Sequence, residues 1–406
     1  MKEVENIIIG AGPAGLFTAI HLKKPGTIVL EKNSAPGKKL LISGSGQCNF
    51  THNGDISDFL NRYGDNSKFI KIALRSFTNN DLIDFFHNKG LQAITDKNGK
   101  VFPRSLRADD ILQILIATCQ KNGIPIYTES PVQSVKKKGL GFQIKTADKE
   151  YSCKRLVIST GGLSYPGTGS TGDGYHFAKQ LGHSIVPPKP ALSPVYIQDY
   201  SMAELAGVSL QDVALYLYRN NKKIYEYRGD IGFTHRGLSG PGILNCSRYM
   251  ENHDILKINI IAQSSEDFRM NFIESSTKKG KLTLQLFFRN HPFPKSLMKI
   301  VLQQLNISPE INLASVTKEM RNKIVSAFCE YPFSIEKVGS FKIAMVTKGG
   351  VSLGEINSKT MESKLVKNLF FAGEVMDIDG DTGGYNIQAS CSTGHLAATA
   401  INSLID

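Results

Sequence analysis

Asn6-Ile7-Ile8-Ile9-Gly10-Ala11-Gly12-Pro13-Ala14-Gly15 is the stretch that decides the fold of this 406-residue chain. Residues 6–9 form a short, almost wholly apolar run, as a parallel strand covered on both faces requires. The glycines follow with G-x-G-x-x-G spacing. In that spacing the first permits the tight turn, the second lets backbone approach a pyrophosphate, and the third lets a helix pack on the strand. A helix of about ten residues from Ala14 then leads through Pro25-Gly26 to a second buried run, Thr27-Ile28-Val29-Leu30, closed by Glu31. Strand, turn, helix, strand and terminal acid together predict a dinucleotide-binding βαβ unit. Its phosphates meet the helix N-terminus, and the Glu31 carboxylate accepts both ribose hydroxyls.

Outward from this unit, residues 68–122 carry apolar positions three and four apart and read as mostly helical. From Val132 to Ser159 short alternating runs predict an antiparallel meander that ends in the buried strand Leu156-Val157-Ile158. The glycine-rich segment from Ser159-Thr160-Gly161-Gly162 to Gly174 reads as a ligand-facing loop. Within it Gly167, Gly169 and Gly172 repeat the spacing without a preceding strand, so no dedicated NAD(P)H domain is expected. Pro187-Pro188-Lys189-Pro190 cannot continue a central strand or helix, and a domain boundary is expected there. Beyond it, a hairpin turning at Asn220-Asn221, a strand near Ile255 and helices over 294–330 predict a small barrel with a helical appendage. The first domain resumes near Phe341. The expected domains are 1–190 with 341–406, and 191–340.

At this length two or three packed units are expected. No stretch is long and apolar enough to span a membrane, and the first five residues lack a secretory pattern, so a cytoplasmic protein is expected. The six cysteines include no C-x-x-C pair, which argues against a zinc ribbon or a redox dithiol, and no metal is expected. The net charge of +12 favours a polyanionic partner, although its lysines, Lys136-Lys137-Lys138 among them, are dispersed.

The choice of dinucleotide rests on the far end of the chain. Phe371-Ala372-Gly373-Glu374-Val375-Met376-Asp377 follows an apolar strand, and Thr382-Gly383-Gly384-Tyr385-Asn386-Ile387-Gln388 comes soon after. A helix is expected to run on from Gly373-Glu374 through Gly394. These segments resemble the second contact arm of two-segment FAD folds, and Thr160-Gly161 the third. Their order along the chain points to FAD, with NAD the alternative.

These segments, with residues 37–49 (Gly37-Lys38-Lys39-Leu40 to Gln47-Cys48-Asn49), 161–174, 233–241, 346–351 and 360–364, resemble the bacterial flavoproteins grouped as BaiN-like, YhiN-like or aminoacetone-oxidase-like. The resemblance implies an α/β fold in which a Rossmann-type FAD domain, glutathione-reductase-like, is split by an inserted β-barrel-like and helical domain. It departs at Gln47, where the family usually has arginine.

The cofactor contacts expected are Gly10, Gly12, Pro13, Ala14 and Gly15 in the first turn, and Glu31 and Lys32 after the second strand. Lys39, Ser43, Cys48 and Asn49 follow in the next loop, then Val132, Thr160 and Gly161. The C-terminal set is Gly373, Glu374, Asp377, Gly384, Asn386, Ile387 and Gln388, with Tyr385 shaping the flavin site. Three residues stand as catalytic candidates. Cys48 is either a proton donor or a small buried residue. Arg236, beside His235, either orients a carbonyl or anion or belongs to a helix start. The resemblance puts Lys348 near the flavin, where a cation favours the reduced, anionic form.

Members of the look-alike group act on aminoketones, on steroid acids and on a uridine of large-subunit ribosomal RNA. Three classes of function are therefore carried forward: a flavoenzyme reducing uridine to dihydrouridine, with NAD(P)H as transient electron donor; a small-molecule oxidase or reductase; and a non-enzymatic flavin sensor.

Overall fold

A computed structural model describes residues 2–23 and 25–404. Strand β1 (Lys2–Ile9), whose last four residues are all buried, passes through the glycine turn into helix α1 (Pro13–His21) and then into β2 (Thr27–Leu30). The two strands run parallel, in register from Asn6 opposite Thr27 to Ile9 opposite Leu30. After α2 (Lys38–Leu41) come β3 (Thr51–His52), α3 (Ser67–Ser76), α4 (Asn79–His87), β4 (Ala93–Thr95), β5 (Lys100–Pro103) and α5 (Ala108–Lys121). Residues 68–122 are mostly helical, as expected, in α3, α4 and α5; the departure is the β4–β5 hairpin, which joins β3 in a small antiparallel sheet. Its hairpin is turned by Asp96, whose carboxylate accepts from the N–H groups of Asn98 and Lys100, side-chain chemistry that apolar periodicity does not register.

The main sheet continues with β6 (Ile126–Tyr127), β7 (Val132–Lys138), β8 (Gly141–Thr146) and β9 (Glu150–Ile158), in the order β6-β2-β1-β9-β8-β7. Strand β9 lies parallel to β1 from Tyr151 opposite Lys2 to Ile158 opposite Ile9. Its other edge pairs with β8 only as far as Cys153. After a loop come α6 (Asp173–Gln180) and β10 (Ile185–Ala191).

Residues Leu192–Ser340 form a separate compact unit with its own apolar core. Its strands are β11 (Val195–Ile197), β12 (Ser209–Arg219), β13 (Lys222–Phe233), β14 (Gly237–Ser239), β15 (Ile255–Asn259) and β16 (Tyr331–Val338). They close into a barrel in the order β11-β14-β13-β12-β15-β16. The β12–β13 hairpin turns at Asn220 and Asn221, with φ of 49° and 62°, the left-handed pair a two-residue turn needs. Helix α7 (Pro241–Cys246) follows β14, and α8 (Ser265–Lys278), α9 (Leu284–Phe287), α10 (Lys295–Gln304) and α11 (Lys318–Cys329) lie between β15 and β16.

The chain then rejoins the first unit, Met1–Ala191 with Phe341–Asp406. Strand β17 (Val346–Val351) pairs with β10 in a two-stranded sheet, so the prolines lie in a strand that is not central. The ladder is interrupted between Val186 and Lys189, across Pro187 and Pro188, so those positions need supply no donor. Strand β18 (Leu369–Phe371) completes the seven-stranded sheet, pairing parallel with the free end of β9, Leu369 opposite Leu156. Helix α12 (Tyr385–Ser403) begins later than expected after Glu374, because Gly383 and Gly384 adopt φ of 121° and 92° ahead of it. It packs on α1 at Gly394, where a Cβ would stand 2.6 Å from the Ala14 carbonyl oxygen. Bare backbone at that point lets the two ends of the chain touch.

Candidate cofactor cleft

The three glycines of the first turn have three distinct surroundings. At Gly10 (φ 102°) a Cβ would stand 2.6 Å from the Ser159 carbonyl oxygen, so β9 leaves no room for a side chain. At Gly15 it would strike the Gly10 carbonyl and lie 2.6 Å from Ser159 Oγ. Gly12 differs: nothing lies within 4 Å of its Cβ position. Leu16 N–H to Gly12 carbonyl, 3.0 Å, is the first helical bond of α1, so the amides of Ala14 and Gly15 precede the ladder and are suited to an anion.

Glu31 is 7% exposed. One of its oxygens accepts from the Ala11 N–H (2.9 Å), and the other from the Asn33 backbone N–H (2.9 Å) and side-chain amide (2.7 Å). A carboxylate offers about four acceptor sites. As the side chains stand, capacity for one further donor remains, rather than the two ribose hydroxyls expected.

Around these groups opens a cleft. Gly10, Gly12, Pro13 and Ala14 form one side, and Glu31, Lys32, Asn33, Lys38 and Lys39 another. Val132 from β7, Thr160 and Gly161 after β9, and Glu374 after β18 also line it. Two ion pairs cross between segments distant in sequence: Lys32 Nζ to Asp173 at 2.7 Å and Lys39 Nζ to Glu374 at 2.7 Å. Lys32 also donates to the Thr171 hydroxyl. The other Glu374 oxygen accepts from the Thr347 N–H (2.9 Å), tying the cleft to β17. The Thr160 hydroxyl is buried without a hydrogen-bond partner. Open space over Gly12, helix-end amides ahead of the ladder, lysines at the wall and an anchored acid fit a dinucleotide with a diphosphate bridge.

The remaining expected contacts lie outside the cleft lining. Gly15 and Gly373 shape it from behind; a Cβ on Gly373 would lie 2.7 Å from that of Ala14. Asp377 accepts from the Gly349 N–H at 2.8 Å, so it braces β17. Ser43 donates to the Leu40 carbonyl (2.7 Å). The Asn49 amide, oriented to satisfy both its ends, donates to the carbonyls of Thr51 (2.7 Å) and Val101 (3.1 Å) and accepts from the Gly384 N–H (3.1 Å). Asn386 spends its amide on Gly380 and Asp381. Gln388 is fully buried, accepting from Thr51 and donating to Phe77 and Ser392. Ile387 packs half-buried on the core, and Tyr385 stacks on His52. The polar side chains among these have hydrogen-bond partners within the protein.

Of the catalytic candidates, Cys48 is completely buried, and desolvation pushes its thiol up to about 12 despite a hydrogen bond with Ser43. Such a thiol holds its proton at neutral pH. Lys348 lies on β17 opposite Lys189. Arg236 and His235 belong to the barrel unit and are exposed, the Arg236 guanidinium 5.3 Å from the centre of the Tyr196 ring. Sequence reasoning did not single out Asn33, Asp173 or Ser390, all in the lining. Asp173 closes the glycine-rich loop already marked as ligand-facing. Ser390 follows Asn386 by one helical turn, a spacing that places both on one face.

Against known proteins, the family model described as the HI0933-like protein Rossmann domain matches residues 4–400. A relative from Haemophilus influenzae named ribosomal RNA dihydrouridine synthase is 33% identical over 98% of each chain. A 3-dehydro-bile acid delta(4,6)-reductase from Clostridium scindens is 28% identical over 97% of this chain and 98% of its own. Among solved structures, the 3-ketosteroid-delta4-(5alpha)-dehydrogenase of Rhodococcus jostii aligns at a TM-score of 0.53, with 14% identity, over 99% of this chain and 97% of that one. That likeness concerns the fold. The expected membership of the BaiN-like and YhiN-like group agrees with these findings.

Proposed function

This chain belongs to the HI0933-like Rossmann family, and from that premise we propose that it reduces a uridine of ribosomal RNA to dihydrouridine, with NAD(P)H as electron donor. It is an FAD-dependent oxidoreductase; the substrate and the donor are the added steps. The observation that carries the substrate is 33% identity along the whole chain to a protein named for that reaction. The net charge of +12 supports it, because phosphate attraction underlies binding to any RNA.

FAD, when bound, supplies the hydride chemistry by which a hydride and a proton add across the C5–C6 double bond of uracil. The protein's part in this reading is holding and orienting. The amides that open α1 and the open face of Gly12 receive the diphosphate, and Glu31 takes a ribose hydroxyl. Lys39 and Glu374 clasp the cleft from opposite ends of the chain. Cys48 keeps its proton in the core and is not assigned as donor. No helix among the described residues is long and apolar enough to cross a membrane.

Deletion of the gene, followed by mass spectrometry of ribosomal RNA, tests the reading. Loss of one dihydrouridine, restored by the intact gene, is the expected result. Unchanged dihydrouridine, with NAD(P)H consumed on an unsaturated steroid acid, would replace it with the small-molecule reading that the Clostridium relative represents.

A further inference from the structure

Most of the positive excess lies outside the barrel unit, since residues 192–340 hold 18 Lys and Arg against 14 Asp and Glu. The barrel lysines over the half-buried Tyr216, Tyr218 and Tyr196 are already paired with carboxylates. Lys223 pairs with Glu226 at 2.8 Å, Lys257 with Glu330 at 2.8 Å and Lys337 with Glu336 at 3.0 Å.

At the far end of β7, in the other unit, the lysines are arranged differently. A surface groove is lined by residues 134–137, 180–182 and 366, and no carboxylate lies among them. Lys137 is pinned there. Its ammonium donates to the carbonyls of Leu140 (3.2 Å) and Lys367 (3.0 Å) and lies 4.3 Å from the centre of the Phe142 ring. Lys136, Lys138 and Lys367 are exposed around it, and among the described residues none of the three stands in an ion pair. Lysines beside carboxylates bind anions weakly, whereas lysines without them keep their full attraction.

We propose that this groove docks the phosphodiester backbone of RNA, an inference that rests on the ribosomal RNA reading. Strand β7 starts at the cofactor cleft with Val132 and reaches the groove at Lys136, about 13 Å on at roughly 3.3 Å per residue. Helix α6 makes the same passage, from Asp173 in the cleft to Gln180 in the groove. The groove therefore lies beside the cleft without sharing its residues, so bound cofactor and bound RNA do not compete. Its lining offers ammonium groups and no aromatic ring on which a base could stack, which suits backbone contact independent of sequence.

The test uses the flavin-loaded protein and the triple variant K136Q/K138Q/K367Q, which spares the pinned Lys137. Fluorescence anisotropy with a ribosomal RNA fragment is read across a salt series, and dihydrouridine is measured in a deletion strain carrying either gene. Removing three phosphate contacts lowers the slope of log K against log salt by about 2, at roughly 0.7 per contact, with flavin absorbance unchanged. An unchanged slope, or binding to anionic phospholipid vesicles in place of RNA, overturns the groove. If the deletion strain loses dihydrouridine and the triple variant restores it with the wild-type slope, the groove fails and the substrate reading stands. If dihydrouridine survives the deletion while the slope still drops, the substrate reading fails and the RNA groove stands.

Discussion

Two glycine-rich turns, residues 10–15 and 43–49, use the same residue type to opposite ends. In the first, left-handed Gly10 and crowded Gly15 pull strand and helix together so that Gly12 faces open space. In the second, Gly44, Ser45, Gly46 and Cys48 all adopt positive φ, from 55° to 87°, yet the loop folds onto itself. Cys48 N–H reaches the Ser43 carbonyl (3.0 Å), Gln47 N–H the Gly44 carbonyl (3.2 Å), and Asn49 spends its amide on neighbouring strands. Glycine content marks where a backbone bends. Whether the bend serves a ligand depends on who takes its N–H groups.

The largest test of the contrast is Gly15→Val. Its side chain would run into backbone at Gly10, a clash that no rotamer relieves, so the loss exceeds about 4 kcal/mol. The expected outcome is insoluble protein or a collapsed melting transition. Gly12→Val is next. With nothing near its Cβ the fold holds and the melting temperature of flavin-free protein stays put, while flavin retention falls at least about a hundredfold, the scale of losing charge-assisted bonds to a diphosphate. A yellow Gly12→Val protein, or one that unfolds as Gly15→Val does, breaks the comparison.

The smallest effect is expected at Cys48→Ser, with stability reduced by about 1 kcal/mol and flavin and turnover at neutral pH retained. The pH sign is definite. The folded thiol keeps its proton until about 12, whereas an unfolded thiol releases it from about pH 8.5. The stabilising contribution is therefore complete below that value and is lost as pH rises through the folded one. Cys48→Ser removes this alkaline loss, seen in melts from pH 8 to 11. Abolished turnover with flavin retained would place the thiol in the chemistry after all.

Much of the architecture was legible in advance because its signals are local. The apolar run 6–9, the glycine spacing and the acid at 31 all fall within one βαβ unit, and the Asn220-Asn221 turn announces the barrel hairpin. The prolines did not show that a strand passes through them, because their cost depends on whether a partner needs the missing donor, and β17 does not ask for it at Pro187 and Pro188, where the ladder is interrupted. The C-terminal set was half legible. Glu374 lines the cleft, but Gln388 and Asn386, alike in type, turn inward to Thr51, Phe77 and Gly380.

From its own residues the chain determined the nucleotide turn, the period of each long element and the order of its segments, since dihedral preference and hydrophobic spacing act over a few positions. Only the tertiary structure decided that Lys39 meets Glu374 across the cleft, that Cys48 is sealed away, and that the Lys136-Lys137-Lys138 run borders a groove free of carboxylates. Each of these depends on which distant segment supplies the opposing charge or the covering carbon, and no spacing along one strand encodes that.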